Sequence, residues 1–278
     1  MPSDAELLEV FRLAEAAKLP DIVRKVGDWL AWSWIARDRF PEVDQLTRRS
    51  LAVQTSPLTL LAAGRALRVL GKSADALRYL QQALTIQRET CNRADEATTL
   101  DNIGSVHRNR GELDQALHHY QQALTIQQEV SDRAGESAAL NNIGMVHQDR
   151  GELDQALHHY QQALPIQQEI GARSGEATTL NNIGSVHHLR GNLDQALHHY
   201  QQALTVSREV GDRAGEATTR FNIAMVHEGQ NDLDQAIAEL EQVVEIDRLI
   251  GHPDLERDTA ALEKTRRTRE THRGPNPN

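Results

Sequence analysis

Apolar side chains recur along most of the chain at the three- and four-residue spacing typical of amphipathic helices. Around residues 140–165 they form two stripes, which a turn at Gly151 separates. The pattern predicts a pair of helices, A and B, each of about 18 residues and about 27 Å long. The first stripe is Leu140, Ile143, Gly144 and His147, and the second is Leu153, Ala156, Leu157, Tyr160, Ala163 and Leu164.

The same pattern returns every forty residues, and an Asn-Ile pair marks each return, at Asn102, Asn142, Asn182 and Asn222. Self-similarity at such a period is typical of a solenoid, in which each unit buries its apolar face against its neighbours. We therefore predict an all-α fold, an α-solenoid of antiparallel helix pairs with helical caps. The five predicted units are 61–100, 101–140, 141–180, 181–220 and 221–252.

Both ends of the chain depart from the repeat, as a stacked array requires, because each terminal unit has one face without a neighbour. Pro20 and Pro41 divide the N-terminal segment into three helical stretches. The predicted segments are 1–59 for a capping helix plus one degenerate helix pair, 60–252 for the five units, 253–270 for a C-terminal capping helix, and 271–278 for a disordered tail.

All three tryptophans, Trp29, Trp32 and Trp34, lie in the N-terminal segment. Because successive residues turn by about 100° on a helix, Trp29 and Trp32 share a face and Trp34 points elsewhere. The tryptophans either pack the end of the solenoid or form a docking patch for another domain or a second copy of the chain.

Pro165 stands inside a predicted B helix, where neighbouring units have Thr125 and Thr205. Proline removes one helical hydrogen bond and crowds the preceding turn, at a cost of about 3 kcal/mol if the helix stays straight. We therefore predict a kink at Pro165.

Within one unit, Leu140, Gly144, Ala156, Tyr160 and Ala163 fall at the spacings of the tetratricopeptide repeat. The forty-residue period and the LNNIG sequence resemble the repeats of kinesin light chain, of the G-protein signalling modulators and of bacterial regulatory proteins. The resemblance implies a right-handed superhelix whose A helices line a concave groove. The usual helix-ending proline is absent, and the usual tyrosine is replaced by His107, His147, His187 and His227.

The groove side of each A helix carries polar residues that packing does not require. In proteins similar to this one, an asparagine at the Asn142 position holds the backbone of a bound peptide, because a primary amide both donates and accepts. Alternatively, the amides link adjacent A helices or face water. The predicted peptide-binding residues are Asn102, Asn142, Asn182, Asn222, Asn141, Asn181, Met145, Met225, Ser105, Ser185, Arg65, Arg68 and Arg108.

Charge along this groove indicates the character of its ligand. Arg65, Arg68 and Arg108 lie toward its N-terminal end, and Phe221 and Met225 toward its C-terminal end. An extended segment of a partner protein with acidic residues toward the N-terminal repeats and apolar residues toward the C-terminal repeats fits this arrangement. The acidic C-terminus of a chaperone is not expected, because no lysine stands at a groove-facing position.

The composition excludes several classes of partner and setting. A formal net charge of -10 and a pI near 5.7 argue against nucleic acid. The single cysteine, Cys91, cannot form an internal disulfide, so a cytoplasmic location is expected. No apolar run approaches the roughly 18 residues of a membrane span, so we expect a soluble protein without membrane partners.

Thirteen histidines raise the question of a metal site. Adjacent histidines such as His118 and His119 diverge by about 100° and are expected on the outer side of helix B, where they cannot hold one ion. No serine or cysteine has a local acid-base partner. We therefore predict no metal, no cofactor and no enzymatic activity. The expected function is a protein-interaction scaffold; the alternative is a sensor or assembly arm that self-associates through its terminal repeats or packs on another domain.

Overall fold

The computed structural model describes residues 3–37 and 39–273, and this part of the chain contains fourteen α-helices and no strand. It divides into two compact units, Met1–Asn142 and Ile143–Asn278. The predicted all-α class, built from paired helices, is confirmed in each unit. None of the described helices is both long enough and apolar enough to cross a bilayer.

The first unit begins with three helices and continues with regular pairs, in which each A helix packs on the B helix that follows it. Its helices are α1 (Asp4–Ala16), α2 (Pro20–Ile35), α3 (Phe40–Val53), α4 (Pro57–Val69), α5 (Ser73–Glu89), α6 (Arg93–Asn109), α7 (Leu113–Glu129) and the first ten residues of α8 (Arg133–Asp149). Here α4, α6 and α8 are A helices, and α5 and α7 are B helices.

The second unit contains the rest of α8 and the remaining pairs. Its helices are α9 (Leu153–Glu169), α10 (Arg173–Leu189), α11 (Leu193–Val210), α12 (Arg213–Gly229), α13 (Leu233–Ile250) and α14 (Leu255–Arg273). The A helices α10 and α12 again alternate with the B helices α9, α11 and α13. A forty-residue window such as 141–180 therefore begins inside one A helix and ends inside the next, so the helix pairs do not coincide with the predicted windows.

A residue with positive φ ends most helices. Gly111, Gly151 and Gly191 each have φ of 75° between an A and a B helix, where a side chain would be strained. The A helix α8 begins with a side-chain cap. The carboxylate of Asp132 accepts a hydrogen bond from the backbone N–H of Gly135 at 3.0 Å. Asp212 caps α12 in the same way.

The two helices of a regular pair approach closely where a small residue of helix A faces a large one of helix B. A Cβ atom added at Gly184 would lie 2.7 Å from the ring of Tyr200, which is 1% exposed. Gly104 faces Tyr120 in the same way. In the pair formed by α12 and α13, Ala224 and Leu240 take these positions, and both are fully buried. Small-to-large complementarity therefore sets the spacing of each pair.

The tryptophans separate as their helical positions predict. Trp34 is buried among Phe11, Leu30 and neighbouring apolar residues, and its Nε1 donates to Asp4 Oδ2 at 2.9 Å. Trp29 is 42% exposed. Trp34 therefore packs the core of the N-terminal helices, whereas Trp29 contributes to their surface.

The C-terminal helix is longer than the sequence predicts. Helix α14 extends to Arg273, so residues 271–273 of the predicted tail are helical, and residues 274–278 lie outside the described part of the chain. Ion pairs hold the last turns against α13, from Arg266 to Glu241 at 2.6 Å and from Arg269 to Asp234 at 3.1 Å.

Helix α9 continues through Pro165, whose side chain is exposed. In the equivalent helices, the hydroxyls of Thr125 and Thr205 donate to the carbonyl oxygens four residues earlier at 3.0 and 2.9 Å. The proline thus replaces a residue that bonds to its own helix, and the kink at this position stays a prediction.

Candidate interaction surface

The predicted asparagine ladder consists of Asn102, Asn142, Asn182 and Asn222, each of which is half-buried on an A helix. Asn222 Nδ2 donates to Asn181 Oδ1 at 3.0 Å, which joins α12 to α10. Asn102 Nδ2 donates to the carbonyl oxygen of Thr98 in its own helix at 2.8 Å. Asn102 and Asn222 therefore bond within the chain, and Asn182 also has an interaction partner there. One such bond leaves a primary amide with further donor and acceptor capacity.

The other polar and sulfur-containing site residues also take part in packing. Ser105 Oγ accepts from Tyr120 Oη, and Ser185 Oγ accepts from Gln148 Nε2, both at 3.0 Å. Met145 and Met225 are half-buried against the apolar clusters of their own pairs. These residues therefore position the A helices, and a ligand can reach only part of each side chain.

Arg65 and Arg68, two of the three predicted arginines, form a positive patch on α4 that no carboxylate neutralises. The Arg65 guanidinium lies 5.1 Å from the ring centre of Trp32. Burial, together with the charge of Arg68, lowers the pKa of Arg65, and no carboxylate opposes this shift. Arg68 Nε is buried and has no hydrogen-bond partner among the described residues. By contrast, Arg108 has a further partner within the chain.

Asp101 is a titratable residue of this surface that the sequence did not single out. Burial raises the pKa of its carboxyl to about 7, although a hydrogen bond from Gln127 Nε2 to Asp101 Oδ2 at 2.7 Å lowers it. Asp101 Oδ1 is buried without a hydrogen-bond partner in the described residues. The only sequence signal is that the neighbouring repeats have Asn141 and Asn181 at this position.

Adjacent histidines such as His118 and His119 are predicted on the outer side of helix B. This prediction is wrong for the second histidine of each adjacent pair. His119 is half-buried, and its ring stacks on that of His107 with centroids 5.3 Å apart. Of the two, only His118 is exposed, because position 119 faces helix A, where its ring meets that of His107. Burial, aided by the charges of His107 and His118, lowers the pKa of His119 to about 4.

The same stacking recurs in the next two pairs, again with centroids 5.3 Å apart. These histidines therefore pack the helix pairs. No group of three or more His, Cys, Asp or Glu residues in the described part of the chain has the arrangement of a metal site.

Sequence comparison identifies the origin of these helix pairs. The sequence model of the tetratricopeptide repeat family matches residues 56–129, 95–169 and 175–248, which together make up more than half of the chain. The chain belongs to the tetratricopeptide repeat family. The family matches begin just before α4, so helices α1 to α3 and α14 flank the tetratricopeptide repeats. A comparison with curated proteins gives no match.

Solved tetratricopeptide repeat structures have similar backbones. A putative kinesin light chain with nearly identical repeats from Podosopora anserina is 16% identical, over 77% of this chain and 97% of that one, with a TM-score of 0.54. A Rap protein in complex with competence and sporulation factor is 13% identical, over 87% of this chain and 75% of that one, with a TM-score of 0.64. The predicted resemblance is therefore confirmed for the fold.

A signal transduction ATPase with numerous domains and a tetratricopeptide repeat sensor, from Pyrococcus horikoshii, is 15% identical with a TM-score of 0.71. The match covers 95% of this chain but only 39% of the ATPase, so the tetratricopeptide repeat chain spans less than half of that protein. At these identities, the similarity concerns the fold alone.

Proposed function

We propose that this tetratricopeptide repeat chain is a protein-interaction module that binds an extended, acidic segment of a partner protein on the groove side of its A helices. Family membership supports the general role, because the repeat is a scaffold for binding other proteins. The similar Rap structure is that of a complex with competence and sporulation factor. Cys91, which is exposed and unpaired, fits a reducing cytoplasm as the setting.

The uncompensated pair Arg65 and Arg68 carries the proposal. A guanidinium that is partly removed from water is unfavourable unless an anion or hydrogen-bond acceptor replaces the water. Within the described residues no carboxylate opposes the lowered pKa of Arg65, and Arg68 Nε lacks a partner. A glutamate or aspartate of a partner segment would supply the missing acceptor, and a planar guanidinium can hold a carboxylate by two hydrogen bonds.

The asparagine ladder would hold the main chain of the same segment. Asn102 and Asn142 occupy equivalent positions on α6 and α8, within the unit that contains the two arginines. An amide recognises the peptide backbone without regard to side chain, whereas an arginine recognises a charge. In this proposal the amides therefore provide affinity for the segment, and the arginines select segments that carry acidic residues.

The arginines can be tested with a fluorescein-labelled, N-acetylated peptide of alternating glutamate and alanine. We expect the double substitution Arg65→Gln and Arg68→Gln to weaken binding by roughly 10- to 100-fold for each charged hydrogen bond lost. The matched control is Arg78→Gln, since Arg78 is an exposed arginine already paired with Asp75 at 3.0 Å. Fluorescence anisotropy measures the affinities, and a glutamine peptide reports on charge. Equal affinity of the double variant and the control would refute the proposal.

The amides can be tested by affinity capture from native extract, which also identifies the partner. We expect Asn142→Ala combined with Asn182→Ala to abolish capture while changing the melting temperature by only a degree or two. Capture at the wild-type level by this variant would remove the asparagine ladder from the proposed site. The outcome of this capture experiment does not affect the test of the arginines, because the peptide assay needs no natural partner.

Exposed Trp29 favours a second function, an assembly arm that associates through the N-terminal helices. Trp29 lines an open depression together with Trp32 and Leu58, and exposed apolar surface of this kind is typical of interaction sites. Sedimentation velocity at several concentrations should then show an oligomer that Trp29→Gln dissociates. A single monomeric species at all concentrations would contradict self-association.

A further inference from the structure

A cavity of about 280 Å³ lies in the second unit, where α12, α13 and α14 meet. Asp247 of α13 and Asp258 of α14 contribute carboxylates to its wall, and Phe221 and Asn222 contribute the groove face of α12. The cavity therefore combines buried negative charge with an aromatic surface, next to the last asparagine of the ladder.

The Asp247 carboxylate is the unusual feature of this cavity. It is fully buried, no hydrogen-bond donor among the described residues reaches either of its oxygens, and its hydrogen-bonding neighbour is the Asp258 carboxyl. The preceding pairs have uncharged residues at the equivalent position, namely Gln127, Gln167 and Ser207. A buried carboxylate without a partner costs several kcal/mol unless it takes up a proton or a cation.

The nearest histidine does not supply the missing donor. His252 Nδ1 lies 3.8 Å from Asp247 Oδ1, which is too long for a hydrogen bond. The same nitrogen accepts from the backbone N–H of Asp254 at 3.3 Å. Because an accepting ring nitrogen carries no proton, His252 cannot donate through this atom to Asp247.

The nearest arginine is committed to the other two carboxylates. Arg257 Nε donates to Asp258 Oδ1 at 2.7 Å, and Arg257 Nη1 lies 3.0 Å from Asp254 Oδ2. The same guanidinium lies 5.2 Å from the ring centre of Phe221, so this wall of the cavity already accommodates a cation. One positive charge thus serves two carboxylates, and Asp247 is left without a counterion.

We propose that this cavity binds a primary ammonium group of a partner protein, which donates hydrogen bonds to Asp247 once the cavity wall opens enough to expose this buried carboxylate. An ammonium fits better than a second guanidinium, because it is a compact charge with three donors on a flexible stem, and the stem can lie against Phe221. This site is separate from the acidic-segment site of the first unit. Its test uses a probe that requires neither Arg65 nor Arg68, so the two proposals can fail independently.

The probe is the tripeptide acetyl-Gly-Lys-Gly-amide, titrated to millimolar concentration against the full chain and followed by NMR of the Asn222 side-chain amide. We expect a saturable shift that the Nε-acetylated tripeptide does not cause. A second arm uses Gly-Gly-Gly-amide with a free N-terminus, which distinguishes a lysine side chain from a chain terminus as the source of the ammonium. Absence of a saturable shift with both amines would overturn the proposal.

Two substitutions locate the binding at Asp247. We expect Asp247→Asn and Asp247→Ser, the latter taken from the preceding pair, to weaken binding at least about tenfold while leaving the fold intact. The control is Glu245→Gln, which removes an exposed charge from the same helix. If Asp247→Asn binds the lysine tripeptide as tightly as the control does, Asp247 is not the site.

The pH dependence provides an independent readout. Burial, reinforced by the neighbouring Asp258 carboxyl, raises the pKa of Asp247, and a proton competes with the ammonium for this group. Affinity should therefore fall as pH falls. The other titratable and charged groups facing Asp247 are Asp258, Asp254, His252 and Arg257. A pH dependence that is equal in the wild type and in Asp247→Asn would assign the effect to a group other than Asp247 and contradict the proposal.

Discussion

Replacing Gly184 by alanine tests whether small-to-large complementarity determines the spacing of a helix pair. The added methyl group would lie 2.7 Å from two ring carbons of Tyr200, well inside ordinary van der Waals contact. Tyr200 is 1% exposed, so its ring has no free space into which it can move. Either the ring or the whole of α11 must shift away from α10.

The magnitude follows from two opposing effects. Inserting a methyl group into a filled core costs about 1–3 kcal/mol. Alanine in place of glycine in a helix interior gains about 1 kcal/mol. The net expectation is a loss of about 1 kcal/mol, or a fall of about 2–4 °C in the melting temperature for a chain of this size. In an isolated helix, the same substitution would be stabilising.

The pair α12 and α13 supplies the compensating change, because Ala224 faces Leu240 there. Tyr200→Leu alone should cost about 2 kcal/mol by leaving space at the pair interface. With Gly184→Ala in the same chain, the methyl group fills part of that space, and the double variant should be more stable than the sum of the single effects by about 1 kcal/mol.

The assay is urea unfolding followed by far-UV circular dichroism for the four proteins of the double-mutant cycle. A higher urea midpoint for Gly184→Ala than for the wild type, or strictly additive effects of Gly184→Ala and Tyr200→Leu, would refute the steric reasoning. The second result would mean that the ring accommodates the methyl group without displacing the helix.

Two further substitutions transfer a residue from one repeat to another. Pro165→Thr restores a backbone hydrogen bond in α9 and should raise the free energy of unfolding by up to about 3 kcal/mol; an unchanged melting temperature would mean that α9 has already relaxed around the proline. Asp101→Asn removes a carboxyl whose folded-state pKa of about 7 lies above its ordinary value of 3.8, so the folded state holds the extra proton, and wild-type stability declines as pH rises from about 4 through 7. The melting temperature of Asp101→Asn should exceed that of the wild type most at pH 8 and least below pH 4, and a pH-independent difference would contradict the assigned pKa.

The periodicity of the sequence predicts most of the fold, because a solenoid is made of local helix pairs whose contacts repeat with the sequence. Turn chemistry also predicts local detail, as the caps Asp132 and Asp212 illustrate. The repeat alone does not define where a pair begins, however. The forty-residue windows begin beside the Asn-Ile pair, which lies in the middle of helix A rather than at its start.

Side-chain neighbours across helices were harder to predict. The sequence analysis expects His119 on the outer side of helix B, but the sequence does not show which of two adjacent residues faces the other helix of the pair. Arg65, Arg68 and Arg108 are equivalent as sequence signals. Only the tertiary structure distinguishes Arg65 and Arg68, which no carboxylate neutralises, from Arg108, which has a partner within the chain. The same limitation concealed Asp247, whose burial depends on the packing of α14.

The exchange of Gly and Tyr for Ala and Leu in the last pair also bears on how the chain avoids misassembly. Helices α7, α9 and α11 share the sequence LDQALHHYQQAL. During folding, an A helix can therefore pair with the wrong one of these three B helices. Helix α12 disfavours this error, because the methyl group of Ala224 would crowd the tyrosine of those three helices, whereas Leu240 of α13 fits. The single methyl group of Ala224 therefore favours pairing of α12 with α13 and disfavours pairing with α7, α9 or α11.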